Sequence, residues 1–148
     1  MKFEYMLIIS AVIMVSFALQ SFLGFKQIKH FGYEYSKMKE RGKVAIGRRT
    51  GKIRSGTIIL FCIDNFGIIQ YGRKMQGTTI LSKFHDFNTF NGRKISNITL
   101  DDEEMKNEMK ITRQAIMDAV NNYNLVMNGQ KIPEKKSPFG QLYEKFIH

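Results

Sequence analysis

The chain has few of the residues that staple or punctuate small folds. Its 148 residues include one cysteine, Cys62, and two prolines, Pro133 and Pro138. A lone thiol excludes an internal disulfide and fits a reducing, cytoplasmic setting. Cys62 sits in the apolar run Ile58-Ile59-Leu60-Phe61-Cys62-Ile63, where a thiol fills core rather than reacts, because reactive thiols occupy electropositive, partly exposed sites. The three histidines, His30, His85 and His148, lie in three different segments without metal-ligand spacing. No Ser/His/Asp or Cys/His pairing stands out, and His85-Asp86 are neighbours in sequence only. Nothing here points to an enzyme, a cofactor or a metal. No internal repeat is visible.

Acidic residues are also scarce where it matters. Net charge is +10, and it is concentrated. Residues 26–54 hold ten basic side chains (Lys26, Lys29, Lys37, Lys39, Arg41, Lys43, Arg48, Arg49, Lys52 and Arg54) against Glu34 and Glu40. The rest of the chain is close to balanced. This basic block follows a segment, Tyr5 to Phe25, that has no charged residue at all. A helix of that length matches a hydrocarbon core of roughly 30 Å. A cleaved signal peptide is disfavoured: Glu4 offsets Lys2, the apolar stretch is long, and Leu23-Gly24-Phe25 is a poor cleavage site. Lysines directly after the span oppose translocation and place the C-terminal portion in the cytoplasm. The same block attracts anionic lipid. The expectation is a single-pass cell-membrane protein: anchor 1–25, juxtamembrane basic helix 26–42, a small α+β cytoplasmic domain 43–130, and a linker with a short terminal helix over 131–148.

Beyond the span, Ile28, Phe31, Tyr35 and Met38 recur at spacings of three and four, one face of a helix that continues out of the membrane and docks below. Gly32 marks a bend and Gly42 a stop. From Lys43 to about Ile98 the pattern turns to short β-forming runs: Val44-Ala45-Ile46, then Thr57 to Ile63, a turn at Asp64-Asn65-Phe66-Gly67, and a return strand Ile68 to Tyr71 that Gly72-Arg73-Lys74 interrupts. Thr78-Thr79-Ile80-Leu81 is a further strand candidate. Phe84, Phe87 and Phe90 follow, up to the turn-like Asn91-Gly92. A small antiparallel sheet or half-barrel results. A C-terminal amphipathic helix is expected near Asp102 to Met127, from Met105, Met109, Ile116, Val120, Tyr123 and Met127. The run Asp101-Asp102-Glu103-Glu104 caps its first turn, and Asn128-Gly129 closes it. Phe139, Leu142, Tyr143 and Phe146 form a brief terminal helix after the proline-bearing linker.

Gly42-Lys-Val-Ala-Ile-Gly47-Arg48-Arg49-Thr50 superficially matches a phosphate-binding loop, G-x-x-x-x-G-K-(S/T). The lysine is replaced by Arg48, the hydroxyl comes one place late, and no strand-to-helix turn surrounds it. For DNA, a helix–turn–helix is missing; a basic β-region using Arg48, Arg49, Lys52, Arg54, Arg73 and Lys74 would hold phosphate without reading bases.

The span, Gly24-Phe25-Lys26-Gln27-Ile28 leaving it, the stretch Gly42 to Lys52 and the later Lys74-Met75-Gln76-Gly77 together resemble the glucitol (sorbitol) operon activator family. The most specific pattern is Gly-basic-Val-x-(Val/Ile)-Gly-Arg-x-(Ser/Thr)-Gly, and the resemblance covers about residues 5–127. It implies a positive transcriptional regulator encoded with sorbitol phosphotransferase-system genes, acting from the membrane through a protein partner, either a regulator or a transporter component. An accessory subunit or stabiliser of the transporter is the alternative, and direct non-specific DNA binding a second one. Gly42, Gly47, Arg48, Gly51 and Gly77 are the motif positions to probe. With Arg49, Lys52, Arg54, Arg73 and Lys74 they make the candidate partner or phosphate contact.

Overall fold

A computed structural model describes residues 3–51, 56–77 and 82–133. The expected strand at 78–81, Lys52 and Arg54, and the terminal helix at 139–146 lie outside the described residues. The elements run in the order helix α1 (Phe3–Lys39), strands β1 (Lys43–Arg49), β2 (Thr57–Ile63), β3 (Ile69–Gln76) and β4 (Phe84–Asp86), a 3₁₀ turn (Ile95–Asn97), and helices α2 (Glu103–Lys106) and α3 (Lys110–Met127). The four strands form one antiparallel sheet in the order β1-β2-β3-β4. The class is α+β: a long apolar N-terminal helix, a meander, and a C-terminal helix packed on the sheet.

β2 organises everything else. All but one of its residues are buried, so it is covered on both faces. Because side chains alternate along a strand, Ile59, Phe61 and Ile63 enter one core with Ala45, Ile69, Phe87 and Phe90, against Ala115, Ile116, Ala119 and Val120 of α3. Leu60 and Cys62 enter a second core with Met75, Phe84 and Met38 of α1. The three phenylalanines of the first core cluster with ring centroids 5.9–6.2 Å apart. Each such ring contributes about 1.5–3 kcal/mol when fully buried.

The hairpin between β2 and β3 is tied by its own turn chemistry. The Asp64 carboxylate accepts the N–H groups of Phe66 and Ile68, both at 2.9 Å. Beyond it, the ladder shifts: Ile63 pairs with Ile69, and Cys62 with Tyr71. One residue, Gln70, is therefore extra on β3, a bulge that reverses which face the following side chains meet. That is why Ile69 joins the α3 core and Tyr71 the α1 core, although they are two apart.

Four expectations are corrected. Gly72 does not interrupt the return strand, which runs on to Gln76; a side chain there would strike the Phe87 carbonyl and the Phe61 ring. α1 passes through Gly32 without a break, and within the stripe Ile28, Phe31, Tyr35 and Met38 only Phe31 and Met38 join the second core, while Ile28 stays 72% exposed. The helix expected from Asp102 to Met127 is divided: α2 ends at Lys106 and α3 begins at Lys110. The reason is that Glu108, between them, is drawn to Lys74 of β3, with nitrogen and oxygen 3.1 Å apart, which leaves Met109 exposed while Met105 stays buried. Lastly, Phe84–Asp86 is a strand in its own right, paired with Arg73–Met75.

α1 is the one described helix long and apolar enough to cross a membrane, and none of its apolar window is buried within the protein. A core helix of a soluble fold would be covered. At 37 residues it is about 55 Å long, more than a bilayer core requires.

Gly47 shows how tightly α3 sits on β1. A β-carbon there would lie 2.5 Å from the Ala119 nitrogen and closer still to the Ala115 carbonyl, both backbone atoms. Gly47→Ala is expected to lower unfolding stability by about 1–3 kcal/mol, read as a drop in thermal midpoint of the detergent-solubilised chain, whereas Gly32→Ala, helical and with open space around it, does not lower the midpoint.

Candidate functional site

The glycine-rich basic motif proves to be neither a phosphate loop nor a turn. Gly42 closes the short connection from α1, and Lys43 through Arg49 are the edge strand β1. Ala45 and Gly47 face α3, while Val44 and Ile46 face the α1 side. Gly51 follows the strand, half-buried. Gly77 ends β3 with φ +135°, a backbone that favours glycine, and its N–H donates to the Gly56 carbonyl at 3.0 Å. Motif residues thus hold strand ends and helix contacts together.

An edge strand presents unpaired backbone groups, which proteins usually shield. Here α3 does so with two side chains one turn apart. The Asn122 amide donates to the Ile46 carbonyl at 2.9 Å, and the Arg48 N–H donates to the Asp118 carboxylate at 2.9 Å. Neither residue was singled out from sequence, although a polar pair four apart on an otherwise apolar helix face is a readable signal. Alongside this edge runs a groove of about 670 Å³, walled by Phe31 and Tyr35 of α1, Val44 and Ile46 of β1, and Tyr123 and Val126 of α3. Lys43 and Arg48 stand at its rim.

Arg73 and Lys74 do not join Arg48 and Arg49 in one patch. As neighbours on a strand they point to opposite faces, and each is engaged. The Arg73 guanidinium bridges Glu34 of α1, at 3.3 Å, and Asp86 of β4, at 2.6 Å. Lys74 pairs with Glu108 and lies 4.6 Å from the centre of the Phe87 ring. These two cations lock layers of the fold together.

The acidic run at 101–104 lies at the start of α2 as expected, with Asp102 at the N-cap position and Glu103 and Glu104 in the first turn. The Asp102 carboxylate makes no cap bond to its helix. It accepts the Thr99 N–H at 3.1 Å and the Arg93 guanidinium at 3.0 Å, while Arg93 also holds Glu104 at 3.0 Å. Hydrogen bonds from Thr99 and then Arg93 hold the Asp102 carboxyl below the usual aspartate range, and the Glu104 carboxylate raises Arg93 further. Near the α1 contact, burial pushes the Cys62 thiol up, and its S–H donates to the Met38 carbonyl at 3.5 Å. Burial, then the neighbouring thiol, also raises Tyr71, whose ring lies under Arg41 at 5.8 Å. Cys62 is core, as its apolar neighbours indicate.

Among the described residues, no three His, Cys, Asp or Glu side chains gather to hold a metal. What the geometry defines is a small α+β domain, built around a shielded sheet edge and joined to a membrane-length helix. The chain belongs to the glucitol operon activator protein (GutM) family, whose model matches residues 7–116. That family is one of regulatory activators, not enzymes. Neither the curated proteins nor the solved structures contain a match to the chain.

Arg93→Ala is expected to destabilise the domain by about 1–2 kcal/mol, the low end for charge-assisted bonds because the side chain is a third exposed. Asp102, depressed when folded, contributes its stability fully above about pH 4 and loses it as pH falls through its folded value. Thermal melts between pH 7 and pH 3 therefore show an acid-side loss of midpoint that is smaller in Asp102→Asn than in the parent chain.

Proposed function

We propose that this chain is a membrane-anchored positive regulator of a sugar-alcohol phosphotransferase operon, with residues 1–25 in the bilayer, the domain in the cytoplasm, and its action exerted through a protein partner. One observation carries this reading. α1 is a single helix whose first two-thirds expose apolar side chains such as Ile8, Val12, Phe17 and Phe22, while His30, Phe31, Glu34 and Met38 of the same helix are fastened to the sheet. The same helix that carries the anchor thus enters the domain's core with its last turns, and the sheet is held close to the membrane. Lysines on the exit of the span support the cytoplasmic orientation. A partner rather than DNA is favoured because Arg73 and Lys74 are committed to internal ion pairs, which leaves no broad phosphate-binding stripe across the sheet.

Deleting the gene is expected to abolish the rise of operon transcripts on glucitol. A copy with Ile8, Val12 and Phe17 all changed to Asp, which prevents insertion, is expected not to restore it. Full induction in either strain, read by transcript quantification, refutes the regulatory reading or the anchored one respectively.

A further inference from the structure

The contacts of α1 set the direction of the sheet relative to the span. Just past the helix Arg41 lies over Tyr71; along it Met38 accepts from Cys62, Glu34 pairs with Arg73, and the Phe31 and His30 rings lie 6.0 and 6.2 Å from Phe84, which is opposite Met75. Moving up α1 toward the span therefore moves down β3 from Tyr71 to Met75. The two run antiparallel, so the end of the sheet at Gln76 points at the same side as the apolar portion of α1. The Asp64–Gly67 hairpin points away.

The distance follows from helix geometry. His30 is five residues beyond Phe25, or about 8 Å along an unbroken helix. The headgroup layer occupies roughly 5–7 Å of that. With residues 1–25 in the bilayer, as proposed above, Gln76 and Phe84 come level with the lipid surface. Three elements end there: β1 at Arg49, opposite Thr57; the approach to β4 at Lys83; and the start of α3, whose Met109 touches Gln76 at 3.8 Å and whose first residue is Lys110. Arg49, Lys83 and Lys110 are exposed, and so is Met109. The nearby acid, Glu108, is neutralised by Lys74. In sequence, 41–63 and 74–85 contain no acidic residue.

We infer that this end of the sheet is a second membrane contact, in which Arg49, Lys83 and Lys110 rest on anionic lipid headgroups and hold the domain upright against the bilayer. The inference rests on the anchored reading above. Each cation within reach of the surface adds to the attraction, at about a fivefold bias toward contact, and salt weakens it. The polybasic character then serves posture as well as topology. It also turns β1's edge and its groove sideways, parallel to the membrane.

The test uses the full chain reconstituted in vesicles of phosphatidylcholine with phosphatidylglycerol, carrying one bimane label and a headgroup-attached nitroxide lipid as quencher. Cys62 is buried and stays unlabelled. A label at Thr50→Cys is expected to be quenched strongly, and one at Asn65→Cys, about 20 Å away along β2, weakly. Arg49→Gln and Lys83→Gln are each expected to lower the docked-to-undocked ratio of the Thr50 label by about fivefold, as does pure phosphatidylcholine. Equal quenching at the two positions, or stronger quenching at Asn65, overturns the proposal. So does retardation of duplex DNA that the two Gln variants abolish while quenching is unchanged. Failure of the chain to float with vesicles at all defeats the anchored reading itself, and is recognisable because neither label is quenched.

Discussion

Burial of β2 on both faces is the constraint from which the architecture follows. A strand reading Thr-Ile-Ile-Leu-Phe-Cys-Ile has no polar side to turn to water, so it needs a layer above and a layer below. α3 supplies one with Ala115, Ile116, Ala119 and Val120. The other comes from the last turns of the apolar N-terminal helix, through Phe31 and Met38. Without α1 the Leu60–Cys62 face would be an exposed apolar sheet, prone to association. The last turns of α1 and the sheet are thus packed as one unit.

That arrangement also explains how charge is used. Of the cations that look alike in sequence, Arg73 is spent joining α1, β3 and β4, Lys74 joins the sheet to the α2–α3 connection, and Arg93 gathers Asp102 and Glu104 under the 3₁₀ turn. Partly buried, multiply bonded guanidinium groups hold geometry well because their fork matches carboxylates. The cations left toward solvent at the Gln76 end of the sheet, Arg49, Lys83 and Lys110, are those on which the proposed lipid contact rests. Gly47 belongs to the same economy of space: removing a side chain from β1 lets α3 approach until Asp118 and Asn122 reach the strand's outward backbone groups.

Much of this was legible from residue order. The unbroken apolar run before a lysine-rich block marks the membrane-length helix, the β-forming runs on either side of Asp64 and Gly67 mark the hairpin, and the 3.6-residue recurrence of Ile116, Val120 and Tyr123 marks α3. The apolar setting of Cys62 correctly places it in the core. What misled were signals with two local meanings. Gly72 reads as a strand breaker but is a contact point, Asp102 and Glu104 sit at a helix start as expected but also hold Arg93, and Met109 fits the helical stripe yet lies outside it because Glu108 is held by Lys74.

The sequence alone determined the order of the long apolar helix, the first three strands and the C-terminal helical region, because helix, strand and turn preferences are set by neighbours within four residues. It likewise determined that the basic residues begin where the apolar segment ends. Tertiary structure alone decided which face each strand residue meets, since the bulge at Gln70 reverses that assignment just after the start of β3. It decided the partners of Arg73 and Arg93 as well, and the shielding of β1 by residues some 70 positions later. Contacts of that separation depend on how closely two layers approach, and no local pattern encodes that distance.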